Sequence, residues 1–163
     1  MYFKQGDIFW GMNKEFVGEI MKVAVTESYN KGDMLFRKGD SADHFYIMTK
    51  GQIKLSIGET GYVVYIVSKA GEAFGWSSLI GRDVYSATAE CMSSTNLLKL
   101  NGEKLQKILE KDSDNGLIFF KRLSMVLGNR LLESYKMISS ATQTEASISY
   151  GTGQVVELEA IER

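Results

Sequence analysis

At 163 residues, 44% hydrophobic and 11% aromatic, the chain holds enough apolar material for one ordinary domain, which excludes a disordered polypeptide. Its 19 basic and 20 acidic residues nearly cancel, so no overall field draws it to nucleic acid or to an anionic membrane. A single cysteine, Cys91, excludes an intrachain disulfide and a cysteine-built metal site, and a single histidine, His44, leaves little material for a metalloenzyme or a Ser-His-Asp arrangement.

The opening MYFKQGDIFWGM lacks the apolar run of a signal peptide, and no later window approaches the roughly 18 apolar residues of a bilayer span. The expectation is a cytoplasmic protein with no membrane contact, no metal and no cofactor. Lys14–Lys22 carries Phe16, Val17, Ile20 and Met21 at helical spacing and reads as a short amphipathic helix. From Val23 the period changes. His44, just after Gly39-Asp40, reads as a strand-start residue, and Ile53–Ile57 alternates as a strand does. Tyr62–Val67 is apolar on both faces and rich in β-branched residues, which predicts a strand buried on both sides. Gly32-Asp33, Gly39-Asp40, Gly51, Gly58, Gly61, Gly71 and Gly81 punctuate these runs, so Val23–Leu100 reads as a small closed or two-sheet β architecture.

After Leu100 the helical period returns, with Asn101 as N-cap and Leu105, Ile108 and Leu109 on one face. A second, longer helix runs from near Ser113 to about Ile138. Leu117, Phe120, Leu127, Leu131 and Ile138 form a seam with Ser124 and Ser134 inside it, while Phe119, Leu123, Val126 and Met137 lie off it. One stripe suits docking on the β unit and the other suits pairing with a second chain; the plainer alternative makes both stripes core of a monomer. Residues 1–138 are read as the domain and 139–163 as a polar acidic tail, disordered or closing with one short strand in VVELEAIER. Gly151-Thr152-Gly153 is too little for a phosphate loop.

Between the strands lies AGEAFGWSSLIGRDVYSATAE, Ala70–Glu90. Glycines before acidic residues suit positive φ, and the corner Gly75-Trp76-Ser77-Ser78-Leu79 suits a single helical turn whose free amides and two hydroxyls face an anion. The simpler alternative is that the glycines only turn the chain and the serines only cap the turn.

The order of helix, about eight strands and two helices resembles the cyclic nucleotide-binding domain of bacterial transcription regulators, kinase regulatory subunits and gated channels, over Phe9 to Ile138. NKGDMLFRKGDSADHFYIMTKGQIKL resembles that family's opening strands, and AGEAFGWSSL with YSATAE resembles its phosphate-binding cassette. The resemblance implies a double-stranded β-helix, a jelly-roll-like barrel, with flanking helices. It marks Gly71, Glu72, Phe74, Gly75, Trp76, Ser77, Ser78, Arg82, Tyr85, Ser86, Ala87 and Thr88 as candidate ligand contacts. Two positions depart from it. Where Trp76 stands the nucleotide-binding members carry a glutamate for the ribose, and where Tyr85 stands they carry an arginine that forks onto the cyclic phosphate. Each lost hydrogen bond to a charged group is worth on the order of 1.5–3 kcal/mol, so tight binding of cyclic AMP is not expected. Arg82 is a candidate substitute for the arginine, and Trp76 either plugs the pocket or lines it for an apolar or aromatic ligand, with Tyr85 supplying a hydroxyl.

The favoured reading is a non-enzymatic sensor module, homodimeric through Leu117, Phe120, Ser124, Leu127 and Leu131, with an unknown ligand or none and an unknown protein partner. The 25 residues after Ile138 carry four glutamates against Arg163 alone, so no DNA reading by this chain is expected, and a mobility-shift titration should stay flat. The alternatives are the effector half of a truncated Crp/Fnr-type regulator and, more remotely, a cupin-like enzyme, for which one histidine is too few.

Overall fold

The computed structural model describes residues 8–58, 62–141, 147–149 and 155–157, and the chain divides into two units, Met1–Ser124 and Met125–Arg163. In the first unit, helix α1 spans Lys14–Val23. Asn13 starts it by accepting from the Phe16 N–H at 2.8 Å, and Phe16 and Ile20 form its buried stripe. The strands are β1 (Ala24–Tyr29), β2 (Met34–Phe36), β3 (His44–Lys50), β4 (Ile53–Ile57), β5 (Tyr62–Val67), β6 (Ala73–Phe74), β7 (Thr88–Cys91) and β8 (Thr95–Asn101). They pair antiparallel into two four-stranded sheets, β1-β8-β3-β6 and β2-β7-β4-β5. This is the expected double-stranded β-helix. His44 opens β3, as its place after a turn indicates.

Three tight turns share one design. Asn30–Asp33, Arg37–Asp40 and Lys69–Glu72 each close a backbone bond from the fourth residue's N–H to the first carbonyl, at 3.2, 3.0 and 3.1 Å. The third residue is Gly32, Gly39 or Gly71 with φ of 90, 92 and 88°, as a type II turn demands. The acid that follows each glycine reaches back. Asp33, Asp40 and Glu72 each accept from the N–H of the turn's first residue at 2.7 Å. A Gly-Asp or Gly-Glu pair therefore encodes both the backbone turn and its side-chain lock.

The interior between the sheets holds Phe36, Tyr46, Met48, Ile53, Val67, Phe74, Tyr85, Cys91 and Leu97, all buried. Each such large apolar side chain stabilises by roughly 1.5–3 kcal/mol relative to an exposed one. The opposite face of β3 meets the helices, where Phe45 lies 5.8 Å edge-on to Phe119. Two strand readings are corrected. Tyr62–Val67 is not buried on both faces: β5 is the edge of its sheet, Val67 is buried, and Val63 and Ile66 are 49% and 42% exposed. Simple alternation in β4 breaks at Ser56, which is buried while Ile57 is exposed, and opposite Leu55 and Ser56 the pairing with β5 skips Val64 as a bulge.

Helix α2 (Gly102–Lys111) starts on Asn101, whose side chain accepts from the Lys104 N–H at 3.0 Å, as expected. Helix α3 spans Ser113–Ala141, three residues past the expected end. Phe119 and Leu123 are buried, whereas Met137, also expected off the seam, is exposed. Buried Asn115 ties the helix starts together, accepting from the Asn13 N–H at 3.3 Å and donating to Asp112 at 2.8 Å. The second unit contains the rest of α3 and an antiparallel pair, β9 (Ser147–Ser149) with β10 (Val155–Glu157). Of VVELEAIER only residues 155–157 are described, and residues 158–163 lie outside the described residues. Among the described residues no helix is long and apolar enough to cross a membrane.

Candidate functional site

The segment singled out in the sequence leaves β6 at Phe74, bends at Gly75, makes one 3₁₀ turn over Trp76–Leu79, and loops back into β7. Gly75 has φ 74°, and a Cβ there would lie 2.8 Å from the Tyr46 ring and 2.9 Å from the His44 carbonyl. Both the left-handed backbone and the close approach require glycine. Gly75→Ala is therefore expected to cost about 1–3 kcal/mol, read as a lowered urea midpoint with an unchanged slope.

The Ser78 and Thr88 hydroxyls and the Glu72 carboxylate are engaged in hydrogen bonds within the protein. Ser78 donates to the Gly75 carbonyl at 2.9 Å, and the buried Ser77 carbonyl accepts from the Ile80 and Arg82 N–H groups at 3.4 and 3.3 Å. Thr88 accepts from the Lys38 N–H at 3.0 Å. Glu72 locks its turn, accepting from the Ser68 N–H and the Tyr65 hydroxyl, both at 2.8 Å. Phe74 is buried and stacks on Tyr46 at 5.1 Å. Ser86 is exposed and Ala87 half-buried. Arg82 is exposed, and its guanidinium stands 5.7 Å over the ring of half-buried Trp76.

Tyr85 is 3% exposed and stacks on Phe36 with ring centres 3.8 Å apart and planes 15° off parallel. Its hydroxyl donates to the His44 carbonyl at 2.8 Å and accepts from the His44 N–H at 3.0 Å. Burial pushes this phenol above its ordinary range, against the opposing pull of its bonds with His44 and Tyr46. The group thus stays a neutral donor. Phe36 and Tyr46 complete the aromatic filling, so Tyr85 occupies the interior and Trp76 lies at its margin. Neither Phe36 nor Tyr46 was among the site residues read from the sequence. Alternation along β3 does set Tyr46 and Met48 on one face, but only the fold brings that face against Tyr85.

Lys99 lies 3.4 Å from Glu27, which also accepts from the Tyr29 hydroxyl. Burial and Lys99 together lower the His44 imidazole, which favours its neutral form. Among the described residues no group of three His, Cys, Asp or Glu side chains is arranged to hold a metal ion.

Two facing four-stranded antiparallel sheets, with a glycine-bent helical turn between β6 and β7, define a double-stranded β-helix domain. A family model described as the cyclic nucleotide-binding domain matches residues 26–112, and the chain belongs to that family. It is 29% identical over 124 residues to the cyclic nucleotide-gated channel beta-3 of Canis lupus familiaris, a match covering 74% of this chain and 16% of the channel. The chain thus spans about a sixth of that relative's length. Among solved structures it is similar to a cyclic nucleotide-binding domain from Methylobacillus flagellatus, with TM-score 0.73 and 24% identity over 84% of this chain and 78% of that one. The catabolite activator protein of Thermus thermophilus gives TM-score 0.66 and 22% identity over 83% and 62%.

Proposed function

We propose that this chain is a regulatory sensor module of the cyclic nucleotide-binding family whose cassette does not hold cyclic AMP or cyclic GMP tightly, and which works as a homodimer through protein contacts. The observation that carries this reading is Tyr85. Where the nucleotide-binding members place a phosphate-gripping arginine, this chain has a buried phenol whose hydroxyl is already bonded to His44. A ligand phosphate entering there meets an aromatic wall with no charge to receive it. Arg82, engaged on the Trp76 ring, is exposed and gives little of what a desolvated guanidinium supplies.

Calorimetric titration with cyclic AMP and cyclic GMP tests it. Dissociation constants no tighter than about the high-micromolar range are expected, since only neutral donors contribute. Submicromolar binding of either nucleotide would overturn the reading. An effector half of a longer regulator shares every residue described above, and the length of the native reading frame distinguishes it from a stand-alone module.

A further inference from the structure

We infer that Tyr85 is a positioning residue, an internal latch through which the cassette fixes the start of α2. Its hydroxyl spans both backbone polar groups of one residue, His44, at 2.8 and 3.0 Å, across a sequence separation of 41. The backbone around it is laced to the same loop: Gly39 N–H to the Tyr85 carbonyl at 3.0 Å, Tyr85 N–H to the Asp40 carbonyl at 2.9 Å, and Ala42 N–H to the Asp83 carbonyl at 2.9 Å. That loop ends on Asp43, whose carbonyl accepts from the N–H of Gly102, the first residue of α2, at 2.8 Å.

A second contact joins the other end of the cassette to the same point. Gly102 packs so closely on the 3₁₀ turn that a Cβ on it would lie 2.7 Å from the Ser78 carbonyl oxygen. The α2 start is therefore clamped between the 3₁₀ turn and the loop that Tyr85 holds. Stacking on Phe36 fixes the ring, so the hydroxyl has one place to be. Any event that withdraws the phenol leaves both His44 groups without the hydroxyl, and the loop whose Asp43 carbonyl holds the Gly102 N–H loses its anchor. Displacement of Tyr85 is thereby read out as loosening of α2.

This inference rests on reading the cassette as a regulatory segment, but its test is independent of nucleotide calorimetry. Hydrogen–deuterium exchange of the 163-residue chain is compared for wild type, Tyr85→Phe and Tyr85→Ala. Tyr85→Phe keeps the ring and removes the hydroxyl. Its amides in 42–44 and 102–108 are expected to exchange about ten-fold faster, while β4 and β5 keep wild-type protection. For Tyr85→Ala, p-cresol restores protection at 102–108, and toluene, which refills the ring space without a hydroxyl, does not. Wild-type exchange at α2 in Tyr85→Phe, acceleration spread evenly over all strands, or rescue by toluene equal to that by p-cresol would each overturn the latch. Should Tyr85→Ala fail to fold, the Tyr85→Phe comparison decides alone.

Discussion

Tyr85→Ala is expected to lower the unfolding free energy by about 3–5 kcal/mol, the range for truncating a large buried aromatic. The ring is 3% exposed and stacks on Phe36, within the aromatic group that also holds Tyr46 and Phe74. Its loss opens a void among the side chains that fill the space between the two sheets. It also strips the His44 N–H and carbonyl of their partner. Tyr85→Phe isolates that second part and should cost about 1–3 kcal/mol, the penalty for leaving buried polar groups unsatisfied. Trp76→Ala is the control. Trp76 is half-buried and stacked by a solvent-exposed guanidinium, so about 1 kcal/mol is expected. Urea denaturation followed by circular dichroism orders the three. A loss for Trp76→Ala equal to that for Tyr85→Ala would mean that the indole, and not the phenol, fills the interior. With total stability of about 5–15 kcal/mol for a domain of this kind, Tyr85→Ala stands near the threshold of folding.

What the sequence discloses is local, and what it hides is long-range. Asn101 announces its helix because an N-cap acts on an amide three residues away. Gly39-Asp40 announces its turn for the same reason, since backbone, carboxylate and bond partner lie within four residues. The β5 strand misleads because burial depends on its place in the sheet. YVVYIV reads as a doubly covered strand, yet no strand follows β5 in the order β2-β7-β4-β5. The bulge at Val64, opposite Leu55 and Ser56, has no composition mark, and Ile57 stands in solvent where alternation sets it inside. At the candidate site, the departures at Trp76 and Tyr85 were legible as missing charges. Where the phenol goes was not. Its partner is a backbone group 41 residues earlier, and every residue has such groups, so no side-chain pattern marks His44 as the receiver.

If the proposed homodimer forms through α3, Leu131→Glu is expected to convert it to a monomer while leaving the fold of the protomer intact. On α3, Leu117, Leu131 and Ile138 are 56%, 50% and 54% exposed and Phe120 is 36% exposed, while Leu127 is half-buried, so four of the five apolar seam positions present exposed side chains. Such a row on a helix of 29 residues, about 43 Å long at about 1.5 Å per residue, suits a two-fold pairing in which the same residues meet themselves. In such a pairing a glutamate at 131 puts a carboxylate from each copy into the apolar contact, at a desolvation cost. The expected loss is about 3 kcal/mol or more, which weakens association at least about 100-fold. Because Leu131 is half exposed, the unfolding free energy of the protomer should move by no more than about 0.5 kcal/mol. Leu127→Glu is the poorer probe, since Leu127 is more covered and a charge there strikes fold and association together. Sedimentation velocity at about tens of micromolar decides. Wild type should run as a dimer and Leu131→Glu as a monomer with unchanged circular dichroism. A monomeric wild type, or a variant that stays dimeric, would remove α3 as the dimer contact.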